Sequence, residues 1–276
     1  QTFRAARGER GGLDFESHEA RLELRDGRVA AIHPIQRIDA NQLIEEAMIA
    51  ANVSAARFIE HSARRALYRI HERPAAEKAE QIRQAFAFAG LRFPRGELTP
   101  KVVHDALALL SQRKDRWLFE MLILRSLNQA LYSPENKGHF GLALPRYMHF
   151  TSPIRRYADL VVHRSIKSVL RGKQPPATLD QLLITGDHIS ITERRADDVV
   201  WGVEGWLKCE YVAERIGEVF EGIVTGVTEF GLFVELEGFY VQGLLHISEL
   251  GTDYFQYQPQ SLSLVGERSG RRFSLG

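Results

Sequence analysis

His149-Phe-Thr-Ser-Pro-Ile-Arg-Arg-Tyr-Ala-Asp-Leu160 places a helix start and two adjacent guanidinium groups within a few residues. Ser152 is a favourable N-cap, and Pro153 suits the first helical position, where no N–H is needed. Ile154, Ala158, Val161 and Val162 continue as an apolar stripe. The spacing therefore predicts a helix from Pro153, with Arg155 and Arg156 in its first turn. Two cations there oppose the helix dipole by about a few tenths of a kcal/mol each, and a bound anion would remove the conflict. Free backbone N–H groups, the Thr151 and Ser152 hydroxyls and the arginine forks together suit phosphate oxygens. Ordinary ion pairs are the competing reading, because Asp159 stands four residues after Arg155 and three after Arg156.

Around this run the pattern changes twice. Ala20-Arg-Leu-Glu-Leu24 and Val29-Ala-Ala-Ile32 alternate about Asp26-Gly27, a hairpin signal. From Asp39 the apolar period becomes helical, with Leu43, Ala47, Ile49 or Ala50, Val53 and Ala56 or Phe58 forming a wide buried face. Helix then dominates to about residue 213. Pro74, the Pro94-to-Gly96 break before Leu98-Thr-Pro100, the turn at Ser133–Gly138 and Gln174-Pro-Pro176 divide it into roughly five segments. Thr178 with Gln181 forms a capping box for the last of them. Near residue 215 short strands take over, at Gly217–Gly226, Gly231–Leu236 and Val241–His246.

The chain has 276 residues, 44% of them hydrophobic, enough to bury a substantial core in more than one domain. Its net charge of +1 argues against a globally basic nucleic-acid binder, yet arginine far outnumbers lysine, and phosphate contact depends on local clusters. Cys209 stands alone, so neither an internal disulfide framework nor a cysteine-based zinc site can be written; this fits a reducing cytoplasm. No segment reads as a signal peptide or a membrane span, so no membrane partner is expected.

Gly138-His-Phe-Gly-Leu-Ala-Leu144 followed by Tyr147 to His163 resembles the signature of the ribonuclease II / ribonuclease R family. The resemblance extends to Ile44-Glu-Glu-Ala-Met-Ile-Ala-Ala-Asn52, Ala55-Ala-Arg57, Ile191-Thr-Glu-Arg-Arg-Ala-Asp197 and Trp206-Leu-Lys-Cys209, nearly the whole chain. The Phe-Gly-Leu-Phe-Val and Gly-Leu-Leu-His-Ile-Ser phrases of the last segment are similar to an S1-type RNA-binding OB-fold barrel. The resemblance implies an α+β chain in two parts. Residues 1–213 would be the carboxyl-terminal, largely helical portion of an RNB exoribonuclease catalytic domain. Residues 214–276 would be an incomplete S1 barrel, lacking the later strand pair.

The function implied is Mg²⁺-dependent, processive 3′-to-5′ hydrolysis of single-stranded RNA to nucleoside 5′-monophosphates, by an enzyme monomeric when complete. On the same resemblance Arg155 is the catalytic arginine beside the scissile phosphate. Arg156 has either a structural or a backbone-phosphate role. Glu45 contacts the sugar of the terminal nucleotide, where a carboxylate acceptor favours the ribose 2′-OH; a helix-start glutamate complementing the dipole is the alternative. Phe15 aligns approximately with an aromatic that stacks on the last bases, or is an ordinary core residue. Tyr147 and His149 flank the signature and Thr151 and Ser152 lie within it, all four candidates for RNA contact. In the barrel Phe220, Phe230, Phe233 and His246 match the RNA-stacking face, with about half of them expected to serve the core. His139, His163 and His188 read as structural.

One departure limits the match. The family's compact cluster of metal-binding aspartates has no counterpart: Asp14 is isolated in sequence, and Asp197-Asp198 falls in a late helical stretch. The magnesium ligands are therefore expected upstream of Gln1, in a segment this sequence does not include. The alternative is a non-catalytic RNA 3′-end-binding protein; a helical protein–protein scaffold, which predicts no salt-dependent RNA binding, is disfavoured by the signature.

Overall fold

In the computed structural model, Asp26 and Gly27 both take positive φ (51° and 79°), the requirement of a two-residue turn matched to strand twist. They join β1 (Ala20–Arg25) to β2 (Arg28–Pro34) as the expected antiparallel hairpin. The structure describes residues 2–15, 19–88, 90–91, 93, 96–113 and 116–276. The predicted break at Pro94 lies outside them. Ahead of the hairpin, Thr2–Arg10 forms a helix, α1, that the Arg/Gly-rich composition did not suggest.

The helical region holds α2 (Asp39–His61), α3 (Ala76–Phe88), α4 (Pro100–Leu109), α5 (Arg116–Ser126), α6 (Tyr157–Leu170) and α7 (Leu179–Ala213). Among the described residues this is one helix more than the roughly five expected, because no Pro or Gly marks the break that follows Leu109. The inward face of α2 is also shifted. Leu43 is 69% exposed and Phe58 38%, while Ile49, Asn52, Ala55, Ala56 and Ile59 are buried. A reading of apolar periodicity misses this face because its centre is an asparagine.

Two three-residue strands, β3 (Tyr68–Ile70) and β4 (Leu131–Ser133), pair antiparallel between the helices. They are too short to show alternation in sequence. The capping box of α7 forms as expected: Thr178 N–H donates to Gln181 Oε1 (2.9 Å) and Gln181 N–H to Thr178 Oγ1 (3.3 Å). This helix docks on β4 through small residues. Ser190 Oγ accepts the Tyr132 N–H at 3.0 Å, and a Cβ on Gly186 would lie 2.7 Å from the Tyr132 carbonyl oxygen.

Two hydrophobic clusters carry most of the helical region. One lies among α3, α4 and α5 around Ile82, Phe86, Val103, Leu110 and Ile123; the other joins α2, β3 and α6 through Ile59, Ala66, Met148 and Val162. No helix among the described residues is long and apolar enough to cross a membrane.

The carboxyl-terminal segment begins with the antiparallel meander β5 (Gly222–Thr228), β6 (Gly231–Leu236) and β7 (Val241–His246). The later strands expected to be missing are present. β8 (Phe255–Gln258), β9 (Ser263–Gly266) and β10 (Arg272–Ser274) form a second three-stranded sheet. They are short and divided by Pro259 and Gly270, which hid them from a pattern reading. Val227 and Leu232 of the first sheet meet Phe255 and Leu264 of the second in one core.

Gly186→Ala should force α7 off β4, since the new methyl meets a backbone oxygen that cannot rotate away. Urea unfolding is expected to show a loss of about 1–3 kcal/mol, the usual cost of overpacking a close contact.

Candidate RNA-binding site

The run from Tyr147 to Asp159 is held by side chains reaching in from two helices. Asn52 of α2, 1% exposed, donates from Nδ2 to the Tyr147 hydroxyl (2.8 Å), and its Oδ1 accepts the Phe150 N–H (2.9 Å). From α6, His163 Nε2 donates to the Phe150 carbonyl (2.8 Å) while its ring stacks on that of Phe150, centroids 4.3 Å apart. Asp159, also on α6 and wholly buried, accepts at Oδ1 from the Ser152 N–H (2.7 Å) and from Arg156 Nη2 (2.8 Å).

This arrangement corrects the predicted helix start. Residues 153–155 form a turn, α6 begins at Tyr157, and Arg156 rather than Ser152 occupies the N-cap position. The cause is Asp159: its carboxylate draws the Ser152 N–H into the turn and pairs with Arg156 from inside the first helical turn. Ile154, assigned to the buried stripe, is 99% exposed because it precedes the helix and so falls out of phase with Ala158, Val161 and Val162.

The two arginines consequently separate. Arg156 follows the ion-pair reading, half-buried against Asp159. Arg155 is exposed, and among the described residues its side chain makes no hydrogen bond or ion pair. The i,i+4 pair with Asp159 does not form, because Arg155 precedes α6 and lies exposed while Asp159 is wholly buried.

Polar groups around His149 are sharply tuned. His149 Nδ1 lies 2.9 Å from the Tyr132 hydroxyl, and its pKa is driven down to about 2 by burial, with Arg156, Arg69, His139 and Arg155 adding repulsion. The ring is therefore neutral near pH 7. Tyr132 is pushed up to about 12, mainly by burial. Arg69 stacks over the Tyr132 ring at 4.5 Å and pairs with Glu193 of α7 at 2.6 Å. Thr151 Oγ1 is buried without a partner among the described residues. Tyr147, 7% exposed, is fixed by Asn52 and packs with Ile49 and Leu144, so as placed it is part of the support under the surface.

Glu45 stands at a second cluster, one helical face along α2. Its Oε1 accepts from Arg7 Nη1 (2.7 Å), and its Oε2 accepts from Arg37. Arg37 also donates to Asp14 Oδ1 (2.6 Å), so the aspartate that stands alone in sequence joins a network in space. Phe15 is half-buried against the α3–α5 core and lines a cavity of about 700 Å³ with Arg4, Asp14, Arg37, Gln42 and His104.

In the barrel, Leu232 and Val234 point into the core, which places Phe233 on the outer face, opposite Leu244 of β7. Phe230 is 49% exposed and its ring meets Phe233 edge-on at 6.1 Å; His246 is exposed and lies 2.9 Å from Ser248 Oγ through Nδ1. Phe220 is elsewhere. It packs edge-on against Phe239 at 5.0 Å, and Arg215 covers both Phe239 (5.1 Å) and Tyr211 at the end of α7 (5.6 Å).

Magnesium is not matched by these residues. Glu45, Glu193 and Asp159 are each paired with arginine, and no group of three His, Cys, Asp or Glu side chains among the described residues is placed to share a metal ion.

Asn52, Arg69, Tyr132 and Glu193 were not singled out from sequence. Asn52 and Glu193 lie within the quoted matches Ile44–Asn52 and Ile191–Asp197, which was the available signal. Arg69 and Tyr132 sit on the two short strands and carried none.

Comparison with known proteins agrees with this architecture. The RNB domain matches residues 1–172 and the S1 RNA binding domain residues 214–270. The chain belongs to the RNB-domain family, with an S1 domain toward its carboxyl end. Ribonuclease R of Escherichia coli (strain K12) is 43% identical over 284 residues, covering 98% of this chain and 35% of its own length. Ribonuclease R of Aquifex aeolicus is 42% identical, covering 98% of this chain and 39% of its own length. The chain thus spans little more than a third of these relatives. Among solved structures, Mycoplasma genitalium RNase R in complex with ribose methylated single-stranded RNA superposes with a TM-score of 0.91 at 24% identity, covering 99% of this chain and 44% of that one. Yeast Ssd1, described as a pseudonuclease, reaches 0.70 at 23% identity over 83% of this chain and 29% of its own.

Asn52→Ala would strand the Phe150 N–H and the Tyr147 hydroxyl below the loop. A stability loss of about 2–4 kcal/mol is expected in denaturant unfolding, from leaving two buried polar groups unpaired.

Proposed function

We propose that this chain supplies the RNA-holding and electrostatic part of a processive, Mg²⁺-dependent 3′-to-5′ exoribonuclease that degrades single-stranded RNA to nucleoside 5′-monophosphates in the cytoplasm, as a monomer. The observation that carries the reading is Arg155: an exposed guanidinium with no side-chain partner among the described residues, whose charge acts on a neutral His149, while Arg69 and Arg156, which act on the same ring, are each paired with a carboxylate. A preorganised donor of this kind stabilises charge that develops on a phosphate in the transition state. Glu45 and Phe15 would meet the terminal sugar and bases, and Phe230, Phe233 and His246 would hold RNA on the barrel. The magnesium ligands would come from sequence outside this chain, since Glu45, Asp159 and Glu193 are each occupied by arginine and no group of three His, Cys, Asp or Glu side chains among the described residues is placed to share a metal ion.

In the full-length protein, Arg155→Ala should lower turnover of single-stranded RNA by about 10²–10³-fold, with a much smaller loss of RNA affinity. Unchanged turnover would remove Arg155 from the reaction.

A second reading, a non-catalytic binder of RNA 3′ ends, is favoured for the isolated chain by the arginine-paired state of Glu45, Asp159 and Glu193. Incubating the 276-residue chain with Mg²⁺ and single-stranded RNA separates the two, with salt-dependent binding and no mononucleotide release expected. Release would mean that the chain holds a metal by itself.

A further inference from the structure

Asp159 has none of its surface exposed, an expensive position for a carboxylate, whose removal from water costs several kcal/mol unless partners compensate. Its Oδ1 has two: the Ser152 N–H at 2.7 Å and Arg156 Nη2 at 2.8 Å, while Oδ2 is buried with none among the described residues. Both partners are ends of the same turn. The Ser152 carbonyl accepts from the Arg155 N–H (3.3 Å) and the Arg156 N–H (3.0 Å), which closes it. One buried carboxylate therefore ties the entry of the turn through backbone and its exit through side chain.

Burial alone does not explain the choice of residue. The apolar face of α6 is already supplied by Ala158, Val161 and Val162, and a buried ion pair is often no more stabilising than a well-packed apolar substitute. What the carboxylate adds is a defined geometry. Arg155 lies in the tied turn, its own N–H on the Ser152 carbonyl, with no side-chain partner among the described residues, so the backbone of the turn is what fixes where its guanidinium begins.

We infer that Asp159 is the positioning residue for Arg155, acting through the Ser152 N–H and the Arg156 guanidinium. The inference rests on the reading of Arg155 as the phosphate-facing donor. It also assigns Arg156 to the support of the turn rather than to RNA.

A double-mutant cycle in the full-length protein tests it. Asp159→Ala should lower turnover at saturating RNA by about 10–100-fold, the range expected when a catalytic group is displaced by about 1 Å, with KM little changed. In an Arg155→Ala background the same substitution should cost almost nothing further, because the group it positions is gone. A loss of equal size in both backgrounds overturns the proposal and makes Asp159 a purely structural residue. Asp159→Asn, which keeps the shape and one acceptor, carries the cycle if the alanine variant does not fold, with a smaller loss expected.

Amide hydrogen exchange separates this outcome from failure of the Arg155 reading. Asp159→Ala should speed exchange at Ser152, Arg155 and Arg156 while amides beyond Val161 keep their protection, whatever Arg155 does. Unchanged exchange at those three amides would overturn the tether itself. Changed exchange with Arg155→Ala fully active would overturn the reading of Arg155 and with it the positioning role.

Discussion

The Asn52 side chain joins segments 95 and 98 residues apart through two hydrogen bonds, to the Tyr147 hydroxyl and the Phe150 N–H. The surface around Arg155 depends on that bridge. Tyr147, Phe150 and Ser152 belong to a stretch without regular structure of its own, so its backbone polar groups need partners from elsewhere. Asn52, His163 and Asp159 provide them from α2 and α6, and those two helices are in turn joined by the Ala56–Ile59–Met148–Val162 cluster. A rigid pair of helices thus carries an irregular loop, the arrangement that lets a loop present a charged side chain without collapsing onto it.

The charges around that loop are sorted by what each can reach. Arg69 has Glu193, Arg146 has Glu60, and Arg156 has Asp159. Their fields still act on His149, which burial and the neighbouring cations keep neutral. A protonated ring would add a buried positive charge beside three arginines; the neutral ring instead leaves Nδ1 facing the Tyr132 hydroxyl. Of the three arginines acting on His149, Arg155 alone has no side-chain partner among the described residues.

Much of this was legible in the sequence, and the failures have physical causes. The hairpin at Asp26-Gly27, the α7 capping box and the β5–β7 meander follow from local turn, cap and alternation rules, which operate within a few residues. The start of α6 was misplaced although Ser152 and Pro153 form a good local signal. The deciding interaction, a buried carboxylate capturing the Ser152 N–H, spans seven residues and depends on the burial of Asp159. The face of α2 was misread for a related reason: its central residue is polar, and only partners 95 and more residues away make an asparagine suitable there. The strands β3, β4 and β8–β10 were missed because none exceeds four residues.

The contrast between Arg155 and Glu45 follows from the same sorting. Both were assigned to RNA by resemblance, yet the fold treats them differently. Arg155 is left with its side-chain donors free among the described residues. Glu45 has one oxygen on Arg7 and the other on Arg37, and Arg37 itself is shared with Asp14. Two guanidinium partners fix such a carboxylate in orientation, while its remaining lone pairs can still accept a hydroxyl proton. A sugar contact at Glu45 would therefore add to an existing network rather than replace a solvated charge. Its contribution would be selective for a 2′-OH without providing much of the affinity, because the arginines already neutralise the group. Affinity would then rest on phosphate and stacking contacts, and discrimination on a carboxylate whose strength the protein has partly spent on holding Arg7, Arg37 and α1 in place.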